Sequence, residues 1–385
     1  MVGDEAERYE GMNRRKFIMG GIGTLGILAG GGVLFTRRPE FGRIPQGERL
    51  ARMQASSHYV NGQFRNLVPV QVMNENSGEN RFVATAKFLF GDKSELSPKQ
   101  PMLSCKTNLG TLDAARDAVV WMGHSSFFLQ LSGRRILIDP VFSPYASPLF
   151  FINKAFSGSN VYTAEDMPDI DVLAISHDHW DHLDYPTVMA LKSKVKQIVC
   201  PLGVGEHFEA WGFVPQMIHE EDWDAQIKLT EDLSVYILPS QHFSGRFLTP
   251  NPTLWCGFAF VTPERKVYCS GDGGYGEHFK AIGRRFGGFD LMLGENGQYN
   301  MAWHAIHMLP EETAKAAMDV GAKLLLPAHG GKFALARHPW QEPYRELARA
   351  SQGMDYQLLT PQIGELAYIG GKQPREFDAW WERME

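Results

Sequence analysis

The run Ser176-His177-Asp178-His179-Trp180-Asp181-His182 sets three imidazoles and two carboxylates directly after the apolar stretch Asp171-Val172-Leu173-Ala174-Ile175. Crowding that many titratable groups at a strand end costs desolvation unless a cation neutralises them, so a metal explains the cluster better than a structural role does. In an H-x-H-x-D-H arrangement the first two histidines can converge on one ion while Asp181 and His182 turn toward a second beside it. Mixed imidazole and carboxylate donors suit zinc first, with iron or manganese as alternatives. The implied cofactor is a pair of divalent cations, and the implied chemistry is activation of water for hydrolysis.

Three later residues fit the same picture. His242 follows the strand-like run 235–238, Asp272 follows 266–269, and His329 follows 323–326. Each alone is equally well a surface-loop residue. Their shared position just after a strand is the useful signal, because loops at one edge of a sheet bring distant residues to a point.

The elements that must position them begin at residue 118. Short β-branched and aromatic runs at 126–131, 135–138 and 234–238 predict strands. Helical periodicity predicts helices at 185–192, 275–285, 310–320 and 339–350, the third opened by Pro310 followed by two glutamates. Strands first joined by hairpins and then interleaved with helices indicate a layered mixed α/β (α+β) domain, placed at 109–372 with a C-terminal tail at 373–385. Residues 37–108 are rich in Pro, Gly and polar residues and predict an irregular extension packed on that domain.

Residues 1–36 read differently. Asn13-Arg14-Arg15-Lys16 precedes nineteen uncharged residues, Phe17 to Phe35, as in a twin-arginine export signal or a simple membrane anchor. The expected location is periplasmic or on the outer face of the cytoplasmic membrane. A balance of 38 Lys+Arg against 44 Asp+Glu, formally -6, argues against non-specific nucleic-acid binding. The four cysteines lack C-x-x-C spacing, which removes support for a zinc ribbon or a thioredoxin-like pair. Membrane contact and a homo-oligomer are both compatible with the sequence.

Taken in order, these segments resemble the metallo-β-lactamase superfamily, with Asp139 in Ile138-Asp139-Pro140 as its upstream strand-terminal aspartate. More closely, they resemble the branch containing N-acyl-phosphatidylethanolamine phospholipase D. Trp121-Met122-Gly123-His124-Ser125, Asp139-Pro140-Val141-Phe142-Ser143, Pro239-Ser240-Gln241-His242-Phe243 and Gly271-Asp272-Gly273-Gly274-Tyr275 carry that likeness. The resemblance implies a four-layer αββα sandwich. It also implies that His177, His179 and His242 hold one metal, that Asp181, His182 and His329 hold the other, and that Asp272 bridges them. His307 falls where the family places a further active-site histidine. The segment 294–300 departs from the animal lipase's loop, which implies a changed pocket beside the metals.

Asp181 is then a candidate to orient the nucleophile and His307 a candidate general acid, while Asp139 and His124 read as residues that orient ligands. His304 and His338 read as peripheral. The substrate is expected to be a small molecule or lipid, a phosphodiester of an N-acylated phospholipid in particular, with lactone or amide hydrolysis as the alternative. A catalytically silent binding module is the alternative of another class. The apolar run Pro148-Leu149-Phe150-Phe151-Ile152 reads as core, as an acyl-chain wall or as a membrane contact.

Overall fold

The structure is a computed structural model that describes residues 34–72, 95–246, 249–371 and 376–384. All but the last two residues of the expected targeting stretch lie outside the described residues. No helix among the described residues is long and apolar enough to cross a membrane.

The chain enters through helix α1 (Gly47–Ala55) and a two-stranded hairpin, β1 (Tyr59–Val60) with β2 (Gln63–Phe64). It then builds β3 (Ala118–Trp121), β4 (Phe127–Leu131), β5 (Arg134–Ile138), β6 (Ile170–Ala174), β7 (Val195–Pro201) and β8 (Ile218–Glu221). Helices α2 (Tyr185–Leu191) and α3 (Gly205–Ala210) interrupt this half. The second half supplies β9 (Gln226–Lys228), β10 (Ser234–Leu238), β11 (Gly257–Val261), β12 (Lys266–Cys269), β13 (Leu291–Glu295), β14 (Leu324–Ala328), β15 (Gln357–Leu358) and β16 (Leu366–Tyr368). Helices α4 (His278–Phe286), α5 (Pro310–Asp319) and α6 (Glu342–Ala350) lie between its later strands.

Among the described residues two seven-stranded sheets form, ordered β16-β3-β4-β5-β6-β7-β8 and β15-β14-β13-β12-β11-β10-β9. Each is antiparallel on one side and parallel on the other, the change falling at β5 in the first sheet and at β12 in the second. Side chains alternate between the faces of a strand, and here both faces are covered. Val119, Phe127, Ile136 and Val172 of one sheet meet Val235, Phe258, Val267 and Leu291 of the other in a central core. The intervening residues Val120, Phe128, Leu137 and Leu173 face outward onto Val188 and Leu191 of α2. On the far side Ala259, Tyr268, Met292 and Leu325 receive Phe279 and Ile282 of α4 and Ala314 and Ala317 of α5. The result is the four-layer αββα sandwich that the resemblance implies, in which each buried large apolar side chain is worth roughly 1.5–3 kcal/mol.

Two regions differ from the sequence expectation. The extension carries α1 and the β1–β2 hairpin, and Arg49 of α1 anchors it to Glu206, Glu209 and Glu220 at 2.8, 2.7 and 2.6 Å. The closing segment is no loose tail, because Trp380 and Trp381 insert into the central core beside Trp340 and Tyr344. Helices α4 and α6 each begin three residues later than the periodicity predicts.

Candidate metal centre

Every proposed ligand leaves the carboxyl end of a strand on one edge of the sandwich. The loop after β6 delivers His177, His179, Asp181 and His182; those after β10, β12 and β14 deliver His242, Asp272 and His329. Some of these turns demand unusual backbone. Gly271 has φ +61°, and a Cβ there would lie 2.3 Å from the Cys256 carbonyl oxygen, so only glycine lets the chain swing Asp272 into place. His124, Asp139 and His329 also have positive φ, at 54°, 42° and 63°. Such strain in non-glycine residues persists where surrounding structure enforces it, commonly at functional sites.

The side chains converge as two groups. Donor atoms of His177, His179 and His242 lie within 4.8 Å of one another, as do those of His124, Asp181, His182 and His329. Asp272 stands between them. Its Oδ2 is 3.0 Å from His182 Nε2, 3.2 Å from His329 Nε2, 3.9 Å from His242 Nε2 and 4.0 Å from His177 Nε2. Nδ1 of four of these rings has another partner, which leaves Nε2 for the centre: Ser176 Oγ for His177, Asp139 Oδ2 for His182, the Ile306 carbonyl for His242 and Ser125 Oγ for His329. His179 presents Nδ1 instead, 2.9 Å from His177 Nε2 and 3.3 Å from His242 Nε2.

This donor set fits divalent metal. His182 Nε2 is buried without a hydrogen-bond partner although it faces two carboxylates, the kind of orphan a bound cation would satisfy. Burial and mutual repulsion hold His177 and His242 well below the usual imidazole range, and burial with the neighbouring His124 and His307 does the same for His329. All three are therefore neutral, as a metal ligand must be. Burial opposes a charge on His182, but the Asp272, Asp181 and Asp139 carboxylates outweigh it and hold the ring well above the usual imidazole range, a demand for positive charge that a bound cation would meet in its place. Burial likewise opposes ionisation of Asp181, but the same positive charge and the hydrogen bond to His124 keep the carboxylate well below its ordinary range. Nε2 of His124 lies 2.9 Å from Asp181 Oδ2, close enough to fix that carboxylate's orientation. Asp139 likewise accepts from Ser176 N and Ser176 Oγ at 2.8 and 2.6 Å while holding His182.

His307 joins the centre from the side. Its ring stacks on His329 at 5.1 Å with 9° between planes, and its Nδ1 is 3.0 Å from Glu295 Oε1. Burial would lower His307, but the Glu295 hydrogen bond and charge raise it overall; burial in turn pushes Glu295 up to about 7. Glu295 was not singled out in the sequence. It ends β13, so the strand-end rule that located the other residues also points to it. By contrast His304 pairs with Glu312 and His338 stacks on Tyr299, and neither joins a ligand group among the described residues.

A cavity of about 280 Å³ opens over these groups, walled by Val72, Phe243, Trp303, Ile306 and Leu335. The extension contributes directly to it. Val72 is one wall, and Asn66 binds the His242 backbone twice, donating to its carbonyl at 2.8 Å and accepting from its amide at 3.0 Å.

Comparison with known proteins agrees with this fold. The profile of the beta-lactamase superfamily domain matches residues 134–330. An uncharacterized protein of Mycobacterium tuberculosis (strain H37Rv) is 38% identical over 332 residues, 85% of this chain and 88% of that one. The N-acyl-phosphatidylethanolamine-hydrolyzing phospholipase D 1 of Caenorhabditis elegans is 28% identical over 263 residues, covering 64% and 74% respectively. Among solved structures, the isothiocyanate hydrolase from Delia radicum gut bacteria superposes with a TM-score of 0.51 at 18% identity, covering 65% of this chain and 98% of that one. At that identity the likeness concerns the fold alone.

Proposed function

The chain belongs to the metallo-β-lactamase superfamily and is a metal-dependent hydrolase, and from that premise we propose that it uses a binuclear centre to cleave a phosphodiester of an N-acylated phospholipid. The observation that carries the binuclear reading is Asp272 Oδ2, placed between two complete donor groups and within 4.0 Å of four imidazoles. His177, His179 and His242 would hold one cation, Asp181, His182 and His329 the other, with Asp272 shared. Zinc suits the donors best, with iron and manganese next. Bound there, the pair would lower the pKa of water toward neutrality and offset charge developing on a phosphoryl oxygen.

The protein's own groups do the rest. Asp181, steadied by His124, can orient the attacking water from its second oxygen. Glu295 holds His307 through Nδ1 and raises its proton affinity, which leaves Nε2 as the ring atom able to donate a proton to the leaving oxygen. The apolar walls Phe243, Trp303, Ile306 and Leu335 suit a substrate with alkyl substituents close to the scissile bond, and the likeness to the nematode phospholipase favours a phospholipid. Export by the Arg14-Arg15 signal would place the site where such lipids are met.

A panel comparing an N-acyl-phosphatidylethanolamine, a short soluble phosphodiester and a lactone tests the reading. Turnover of the lipid above both small substrates is expected. Preferential lactone opening, or no phosphodiester cleavage by metal-loaded protein, would overturn it.

A further inference from the structure

Between β5 and β6 the chain makes an excursion whose shape is built rather than loose. Tyr145 and Lys154 pair as an antiparallel bridge, Ala146 N donates to the Asn153 carbonyl at 3.0 Å, and Ala155 N donates to the Pro144 carbonyl at 2.9 Å. These bonds carry Phe150 and Phe151 to the tip, where their rings meet at 5.3 Å yet remain 76% and 67% exposed. Neither packs into the core, and two adjacent phenylalanines held so far into water mark an apolar contact surface. The base is firm, because Ala146 packs on Phe333 and Leu335. Leu335 is also a wall of the metal cavity.

What covers that tip follows from where the N-terminal stretch arrives. The nineteen uncharged residues Phe17 to Phe35 end beside Arg37 and Arg38, and Leu34 is itself 69% exposed. Arg38 and Phe150 line the same cleft of about 200 Å³, together with Trp180 from between two metal ligands. Arg38, three residues past an anchor-length segment and paired with Glu40 at 2.5 Å, therefore meets the aromatic tip at one cleft beside the metal edge, with Arg37 exposed next to it in the chain. We infer that this face rests on a lipid bilayer, with Phe150 and Phe151 inserted among the acyl chains and the arginines at the headgroups. The surface does not depend on which bond the enzyme cleaves, so it stands apart from the proposed substrate.

The test uses the full chain in phosphatidylcholine–phosphatidylglycerol vesicles. An environment-sensitive fluorophore is placed on Phe151→Cys or, as control, on Met354→Cys, each in a Cys105→Ser background. Met354 is exposed but precedes β15, at the sheet edge opposite the metal centre. Each labelled protein is first checked for the thermal transition of the unlabelled chain. Brominated lipids are expected to quench the probe at 151 several-fold more than the probe at 354. Equal quenching at both positions, or none at 151, would overturn the inference. So would a blue shift at 151 that appears without vesicles and grows with protein concentration, since that assigns the tip to a second copy of the chain.

Discussion

On either side of Asp272 the two ligand groups are held by different means. His177 and His242 are oriented by neutral partners, the Ser176 hydroxyl and the Ile306 carbonyl, while His179 rests edge-on against Phe243 at 4.4 Å. In the other group His182 is gripped by the Asp139 carboxylate at 2.7 Å and Asp181 by the His124 ring at 2.9 Å, and His329 alone has a neutral partner, the Ser125 hydroxyl at 3.1 Å. The Asp139 carboxylate raises the basicity of His182 as well as fixing its geometry, while His124 stabilises the ionised Asp181, so the second position depends on charge where the first depends on shape. The difference teaches that loss of an orienting partner should be felt mainly at the Asp181 side.

The largest expected effect removes the comparison altogether: Asp272→Ala strips the shared ligand, and both positions should empty, with activity falling at least about a thousandfold and metal content with it. Next, His307→Gln should cost roughly 10²–10⁴ in turnover while metal content stays at the wild-type level, which separates proton delivery from ligation. Asp139→Asn should weaken cation binding at the second position by about 10–100-fold and at the first by much less; equal losses at both in metal titrations would erase the asymmetry. Replacing both Phe150 and Phe151 by Ser should reduce hydrolysis of vesicle-borne lipid but leave a short soluble phosphodiester unaffected, placing the excursion outside both ligand groups.

A separate effect, on stability rather than on either ligand group, concerns Lys332, behind the centre. Its Nζ donates to the Val141 carbonyl at 2.6 Å, and burial pulls it down to about 7 from 10.5. Between those values the unfolded chain holds a proton the folded chain lacks, so stability should rise as pH rises through that window. Lys332→Met should flatten that slope, by up to about 1.4 kcal/mol per pH unit in denaturant titrations.

Much of the site is legible in the sequence because metal ligands must be a few residue types, and strand ends place them. His177, His179, Asp181 and His182 declare themselves by density, whereas His242, Asp272 and His329 do so by following apolar runs. Glu295 ends an apolar run as His242, Asp272 and His329 follow theirs, but a single carboxylate after Leu291-Met292-Leu293-Gly294 looks like any turn residue until its contact with His307 gives it a role. The roles of Asn66 and Val72 depend on how the extension folds back, which no local pattern encodes. Trp380 and Trp381 were hidden for the same reason, since a short polar segment carries no periodicity to announce that these two aromatics complete the core. The positive φ of His124, Asp139 and His329 has no sequence signature either, because it is imposed by neighbours rather than by residue type.

The most direct test of the account is cation stoichiometry, measured by elemental analysis on purified wild-type protein and on Asp272→Ala. About two divalent ions per chain are expected in the wild type and a loss at both positions in the variant. One ion per chain, or a variant that keeps two, would contradict a binuclear centre built around Asp272.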